Sequence, residues 1–296
     1  MKTAMIAAAA SMALTGLAVA APASAAEVKI RSAVARVVVI VEDRQDVGVE
    51  VTQGQSRLPA IQVRRNGRDV EIDGGLRRSR MWGGDDGIRS CNSGRSDASQ
   101  PGQGATVEVR DLGRIRLEDA PMIVLRMPRD VDVSAGGAVF GAVGRGAQSL
   151  ELSSGGCGNW TVANVDGDMD LAVGGSGSIR AGTSRSLEAN VGGSGSISAG
   201  ATGNLKAAVG GSGDVSVASA QGAGDISIGG SGGVTVRGGR MDRLAATIGG
   251  SGSVRHDGTA GSLSATIAGS GNVRVAAVTG AVSRTIVGSG NVIIGR

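Results

Sequence analysis

Leu187-Glu188-Ala189-Asn190-Val191-Gly192-Gly193-Ser194-Gly195-Ser196-Ile197 is followed 18 residues later by Leu205-Lys206-Ala207-Ala208-Val209-Gly210-Gly211-Ser212-Gly213-Asp214-Val215. In the first copy, Leu187, Ala189 and Val191 alternate with Glu188 and Asn190. A period of two predicts a strand with one face buried. The glycines predict a corner, and Ile197 or Val215 begins a second short strand. Further copies give Leu244, Ala246, Ile248 and Leu263, Ala265, Ile267, with second strands opening at Ile179, Val234, Val254, Val273 and Val292.

Working outward, Gly-Ser-Gly recurs with its serine at Ser176, Ser194, Ser212, Ser231, Ser251, Ser270 and Ser289, spaced 18, 18, 19, 20, 19 and 19 residues apart. One period back from Ser176 lies Cys157, and one further lies Ala138. About nine repeats therefore cover residues 130 to 296, and 40 of the 53 glycines lie from Gly136 onward. One such repeat cannot bury its apolar side, whereas stacked copies can, each strand pairing in parallel with its equivalent. The pattern predicts an all-β fold: a single-chain parallel β-helix, or β-solenoid, of about 19 residues per coil. Nine coils at the usual strand spacing make a rod about 40 Å long. Glycine at this density excludes a helical reading. At the corner, glycine is expected because a sharp bend often needs positive φ. The corner serines are expected to be structural, small residues that fit, since Cys157 and Ala138 occupy the same site.

The composition agrees. The chain has 296 residues, 41% of them hydrophobic and mostly Ala and Val, with two Trp, one Phe and no Tyr. That excludes a conventional aromatic-rich core. Five prolines exclude collagen, and a net charge of +4 with a normal apolar fraction argues against disorder. The same charge is too small to point to nucleic acid.

Residues 1–25 have the form of a signal peptide: Lys2, an apolar stretch from Met5 to Ala20, and Ala23-Ser24-Ala25 before Ala26. The mature chain has no later stretch long and apolar enough for a transmembrane helix. It is expected in the periplasm, at the cell surface or outside the cell. In that oxidising setting Cys91 and Cys157 form a candidate disulfide, two free thiols being the alternative. A metal site would need more ligands than these cysteines and His256, and no cofactor is implied.

Residues 26–130 lack the 19-residue repeat but read as β structure, with strands expected over Val34–Val41, Val47–Thr52, Ala60–Arg64, Val70–Asp73, Thr106–Arg110 and Met122–Met127. They are expected to supply either the first coils or a cap over the first open edge. A polar insertion spans 74–105, holding Arg77, Arg78, Arg80, Trp82, Asp85, Asp86 and Cys91. A flexible insertion pinned by Cys91 is the simpler reading, a binding patch around Trp82 the other. The Gly-rich repeats fill residues 131–296.

The strand-rich start, the phrase Pro121-Met122-Ile123-Val124-Leu125-Arg126-Met127-Pro128 leading into Val131-Asp132-Val133-Ser134, and the succession of Gly-Ser-Gly coils resemble the autotransporter adhesin, head GIN domain family. The likeness covers nearly the whole mature chain. It implies a bacterial exported β-helical protein without catalytic activity, and adhesion as its role. A true autotransporter carries a translocating barrel after its repeats; this sequence reaches Arg296 inside a coil and is expected to lack one.

Other candidate sites are weaker. Asp166-Gly167-Asp168-Met169-Asp170 opens like a calcium loop, but its sixth and twelfth positions, Leu171 and Gly177, do not fit. The simpler reading turns Met169, Leu171 and Val173 inward and the aspartates to solvent. Calcium of the nonapeptide-repeat type needs Asp where these repeats have Ile197 or Val254. An outward column of Asp170, Glu188, Lys206 and Asp225 supplies the carboxylates a polysaccharide-processing enzyme would need, but alternating surface charge is usually only solvated. His256, between Arg255 and Asp257, has no nucleophile motif beside it. The expectation is therefore a non-enzymatic, adhesin-like surface or envelope module, with an envelope or host-surface protein or glycan as the fitting kind of partner. The alternatives are a polysaccharide-processing β-solenoid and a purely structural periplasmic protein. Arg284 stands where earlier copies have Ala246 and Ala265. It is expected to act as a gatekeeper against growth of the rod by a further coil, with no part in ligand binding.

Overall fold

The computed structural model describes residues 25–76, 87–94 and 101–295. Of the targeting segment expected over residues 1–25, only Ala25 falls among them. Arg77, Arg78, Arg80, Trp82, Asp85 and Asp86 of the polar insertion lie outside the described residues, as does Arg296. The chain is nearly all β and forms a solenoid of about nine turns with about 19 residues per coil.

The N-terminal part contributes β1 (Glu27–Val41), β2 (Gly48–Thr52), β3 (Gln62–Asn66), β4 (Asp69–Asp73), β5 (Ile88–Asn92), β6 (Thr106–Val109), β7 (Gly113–Arg116), β8 (Met122–Met127) and β9 (Asp130–Val143). The rod continues with β10 (Ser149–Ser154), β11 (Asn159–Val162), β12 (Asp168–Val173), β13 (Ser178–Ala181), β14 (Ser184–Val191), β15 (Ser196–Val209), β16 (Asp214–Ala220), β17 (Gly222–Ile228), β18 (Gly233–Val236), β19 (Arg240–Ile248), β20 (Ser253–Gly269), β21 (Asn272–Val278), β22 (Val282–Gly288) and β23 (Asn291–Ile294). From β9 onward every pairing along the rod is parallel, with register shifts only at Gly222–Ala223 against β19 and between His256 and Thr259 against β21. Leu187 lies beside Leu205, Ala189 beside Ala207 and Val191 beside Val209. Ile248 lies beside Ile228 and Ile267, and all three are buried. The alternation read from the sequence is thus the alternation of the core.

Where an inward column takes a large side chain, its neighbour shrinks. Trp160 is buried beside Gly141 of the preceding coil. A Cβ on Gly141 would meet the indole carbons at 2.3 Å. Gly224 stands in the leucine column between Leu205 and Leu244, and a Cβ there would meet Met241 Sδ at 2.7 Å. The interior is narrow, so volume is conserved across coils and not at each position.

The corner glycines have a different cause from the one expected. Of the glycines in the second corner position, only Gly137, Gly269 and Gly288 take positive φ. In the middle of the rod the reason is close backbone stacking. A Cβ on Gly175 would lie 2.1 Å from the Gly156 carbonyl oxygen, and one on Gly211 would lie 2.2 Å from that of Gly193. The last corner glycine faces inward: a Cβ on Gly195 would meet Val173 Cγ1 at 2.5 Å. The first has room, its nearest contact at Gly192 or Gly210 being 4.0 Å away, and Ala268 and Val287 occupy that place in the last two coils.

The chain forms its first coil before the periodic region begins. β1 stacks in parallel on β9, with Val28 beside Val133, Val34 beside Ala138 and Val37 beside Gly141. The corner of β1 is irregular between Ile30 and Ala33, and Ser32 there takes φ +48°. After β1 the chain leaves the coil and returns to cap its open edge. β4 and β8 pair in parallel with the two halves of β1, and β3 and β2 add antiparallel edges to them. Residues 26–130 therefore supply both a first coil and a cap. The strand at β1 is longer than expected from sequence, and β5 and β7 were not expected as strands. β5, β6 and β7 form a separate antiparallel sheet. Val107, Val109, Ile115 and Leu117 from this segment cover Val34, Ala138 and Phe140 on the outside of the first coils.

Candidate functional site

On the outer face of the first strand layer, one side chain per coil lines up. Backbone register places Glu27 beside Asp132, Asp132 beside Glu151, Glu151 beside Asp170, Asp170 beside Glu188, Glu188 beside Lys206 and Lys206 beside Asp225. The column continues through Ala245 and Ser264 to Ser283. Asp170, Glu188, Lys206 and Asp225 are thus brought together as the sequence pattern indicates. Asp132 and Glu151 extend the column upstream, and their 19-residue steps back from Asp170 were visible in the sequence. Glu27 joins only because β1 stacks on β9.

Five carboxylates in consecutive coils repel one another, and like charges directly opposite in a sheet are destabilising. Cations relieve the two ends. Lys29 Nζ lies 2.9 Å from Glu27 Oε1, and Lys206 Nζ lies 2.8 Å from Glu188 Oε1. Between these ends the acidity changes. Burial, then Glu151, Glu27 and Asp69, raise the Asp132 carboxyl to about 6. Partial burial, then Glu188 and Glu151, raise Asp170. The hydrogen bond from Lys206 holds Glu188 below its ordinary value. Asp132, Glu151, Asp170 and Glu188 border an open depression of about 480 Å³, which Asp168 and Ser186 also line. Arg185 Nη2 lies 3.2 Å from Asp168 Oδ1, and Ser186 Oγ donates to the same oxygen at 3.0 Å.

Asp166, Asp168 and Asp170 point outward, while Met169, Leu171 and Val173 are buried. Among the described residues, no group of three or more His, Cys, Asp or Glu side chains is arranged to hold a metal ion.

The corner serines Ser176, Ser194, Ser212, Ser231, Ser251, Ser270 and Ser289 are all exposed. Their backbone N–H groups donate to glycine carbonyls one coil back, as Ser194 does to Gly175 at 3.1 Å. Among the described residues no hydrogen bond joins one corner hydroxyl to the next. At the N-terminal end of the same column, Ala138 is buried and Cys157 half-buried beneath the β5–β7 sheet. Cys91 on β5 faces Cys157 with a Cα–Cα separation of 6.1 Å, within disulfide reach.

His256 is not part of a surface site. It is fully buried in an inward column between Val236 and Val275. Its Nε2 faces the Thr259 carbonyl oxygen at 3.4 Å, and its Nδ1 has no hydrogen-bond partner among the described residues. Its sequence neighbours turn outward, with Arg255 Nε 2.8 Å from Asp257 Oδ1. No helix among the described residues is long and apolar enough to cross a membrane.

Comparison with known proteins agrees with this architecture. The model of the family described as "Putative auto-transporter adhesin, head GIN domain" matches residues 28–238. The matched span begins in β1 and runs through the cap and the β5–β7 sheet to the end of β18, so the excursion from the rod belongs to the domain. No curated protein matches the chain. With most of its length covered by that match, the chain belongs to the auto-transporter adhesin, head GIN domain family.

Proposed function

We propose that the protein is an exported, non-enzymatic interaction module of the bacterial surface or envelope. The targeting pattern of residues 1–25 would direct its export, and the lateral face of the rod would make the contact. The carrying observation is the in-register column from Glu27 to Asp225. It offers charged and polar groups at a constant repeat on an open face, suited to an extended protein or glycan surface. The only Phe or Trp side chains among the described residues, Phe140 and Trp160, are buried, so the described residues offer this face no such ring on which a single sugar could stack. Cell fractionation and surface labelling of the native protein test the reading, followed by binding of purified protein to envelope or host-surface material. Glu151→Lys with Asp170→Lys should abolish that binding. Retention of the protein in the cytoplasm, or undiminished binding by the double variant, would overturn the proposal.

One observation favours a second reading, a polysaccharide-processing enzyme. Asp170 is raised and its neighbour Glu188 lowered, which is how an acid and a base are distinguished in glycoside hydrolysis. Against this, both stand in one column on one side of an open depression, and a catalytic pair must flank the scissile bond. Glycan cleavage lost in Asp170→Asn or Glu188→Gln would favour the enzyme.

A further inference from the structure

The last coil departs from the others at three positions. Inside, Arg284 continues the column of Ala246 and Ala265. Outside, Ile293 continues a column held by Arg255 and Arg274, and Val287 follows Gly249 and Ala268 at the corner. A charge has entered the apolar column, an isoleucine has followed two arginines on the outside, and a valine has entered a corner column of small residues. β22 pairs only with β20, and β23 only with β21, so each keeps one backbone edge free among the described residues. Val282 and Ile286 are 40% exposed, whereas Leu263 and Ile267 directly beneath them are 2% and 0% exposed. Arg284 has no ion pair or hydrogen bond among the described residues.

From these observations we infer that the open face of β22 and β23 receives an extended polypeptide strand that places a carboxylate over Arg284, with apolar residues two positions to either side. Backbone edges supply the affinity of such strand addition, and alternate side chains supply its selectivity. Val282 and Ile286 set the apolar flanks. Arg284 sets the charge between them, and the exposed Val287 and Ile293 give the strand's outer margin something to cover. A second copy of this chain does not meet the requirement. Coil by coil, its matching inward residues are Val133, Leu152, Leu171, Ala189, Ala207, Ile226, Ala246 and Ala265, all apolar, and then Arg284 itself. The edge strand β3 at the opposite end carries Arg64 and Arg65. The guanidinium thus rejects self-stacking, as expected from the sequence, but on this inference it also selects an acidic partner, in place of the expectation that it has no part in ligand binding. This inference is independent of the lateral-face reading.

The test uses two labelled synthetic peptides: residues 281–295 as they stand, and the same segment with Arg284→Asp. Fluorescence anisotropy with the wild-type protein should show the Asp peptide binding at least tenfold tighter than the Arg peptide. The R284D protein, altered at an exposed position, should reverse that order. Equal binding of the two peptides, or binding of neither, would overturn the inference. So would a concentration-dependent dimer of the wild-type protein that blocks both peptides, because the end would then serve self-association.

Discussion

The two ends of the rod present the same columns in opposite circumstances. At the N-terminal end, Val28, Ile30, Val37 and Val39 of the first coil are at most 1% exposed, because β4 and β8 stack beyond them and Val47 closes over the core. At the C-terminal end, Val282 and Ile286 continue the inward columns of Leu263 and Ile267 and remain 40% exposed. Inward direction is therefore set by the strand, but burial is set by having a neighbour on both sides. A solenoid coil shares each apolar side chain between two interfaces, and the last coil has only one of them. This resembles the nearest-neighbour energetics of repeat proteins, in which stability resides in interfaces between units.

The comparison is most directly tested by one substitution made in two coils. Ile248→Asp would put an unpaired charge between Ile228 and Ile267 and should cost about 3–5 kcal/mol, as for other uncompensated buried charges. Ile286→Asp in the last coil should cost less than about 1 kcal/mol, since its carboxylate can reach water. Urea denaturation midpoints measure both, and equal losses would contradict the difference between the ends.

The outer clamp at the capped end comes next in size. Cys91 and Cys157 are expected to be bridged, tying the β5–β7 sheet to the corner column. Non-reduced peptide mapping should recover the linked pair, and two alkylatable thiols would exclude it. Reduction, or Cys91→Ser, should cost about 2–4 kcal/mol. The loss should leave the coils beyond the covered corner intact, so circular dichroism should keep the β signal below the transition.

The corners extend the comparison to the backbone. A Cβ at Gly213 would stand 2.1 Å from the Gly195 carbonyl oxygen and 2.6 Å from Val191 Cγ1. Gly290, in the equivalent place of the last coil, has similar contacts on one side, 2.5 Å to the Gly271 carbonyl oxygen. Gly213→Ala should lose about 1–3 kcal/mol by overpacking. Gly290→Ala should lose clearly less, because the last coil can move outward and coil 213 is held between two others. Thermal melts of the pair decide it.

The smallest effect is electrostatic and lies near the capped end. The Asp132 carboxyl is raised from 3.8 to about 6 in the folded chain. A raised carboxyl disfavours folding once it ionises. The penalty is therefore full above pH 6, shrinks as the pH falls, and is gone below about pH 4. Asp132→Asn should stabilise the protein near pH 7.5 by about 1 kcal/mol, after allowance for solvent screening of a partly exposed group. That advantage should disappear near pH 4. A gain that does not change with pH would mean that the Asp132 carboxyl is not raised in the folded chain.

Much of this molecule was legible from its residues. Alternation at Leu187, Ala189 and Val191, repeated every coil, dictated strands and the face they bury. The recurrence of Ser176 through Ser289 set the coil length and so the parallel stacking. These are local and periodic properties, and a one-dimensional stack preserves them. The reason for the corner glycines was not legible. Positive φ is a property of one residue, but the contact between Gly175 and the Gly156 carbonyl belongs to two coils. The burial of His256 was not legible either: it stands between Arg255 and Asp257 in the chain, yet the pleat turns these two neighbours outward and the imidazole inward. The carboxylate ladder was half visible: Asp132, Glu151, Asp170 and Glu188 follow the repeat, while Glu27 enters it only through the pairing of β1 with β9.

The sequence by itself determined the coil, because a repeating pattern of apolar and small residues has one way to bury its apolar side, by stacking on its own copies. Only the tertiary structure decided how the stack begins and ends. The first coil lies outside the period, its neighbour in space is remote in the chain, and β4 and β8 reach it from an excursion with no repeat of its own. Such pairings depend on which edges remain open once the rod has formed, a property of the assembled surface that no single stretch of sequence encodes.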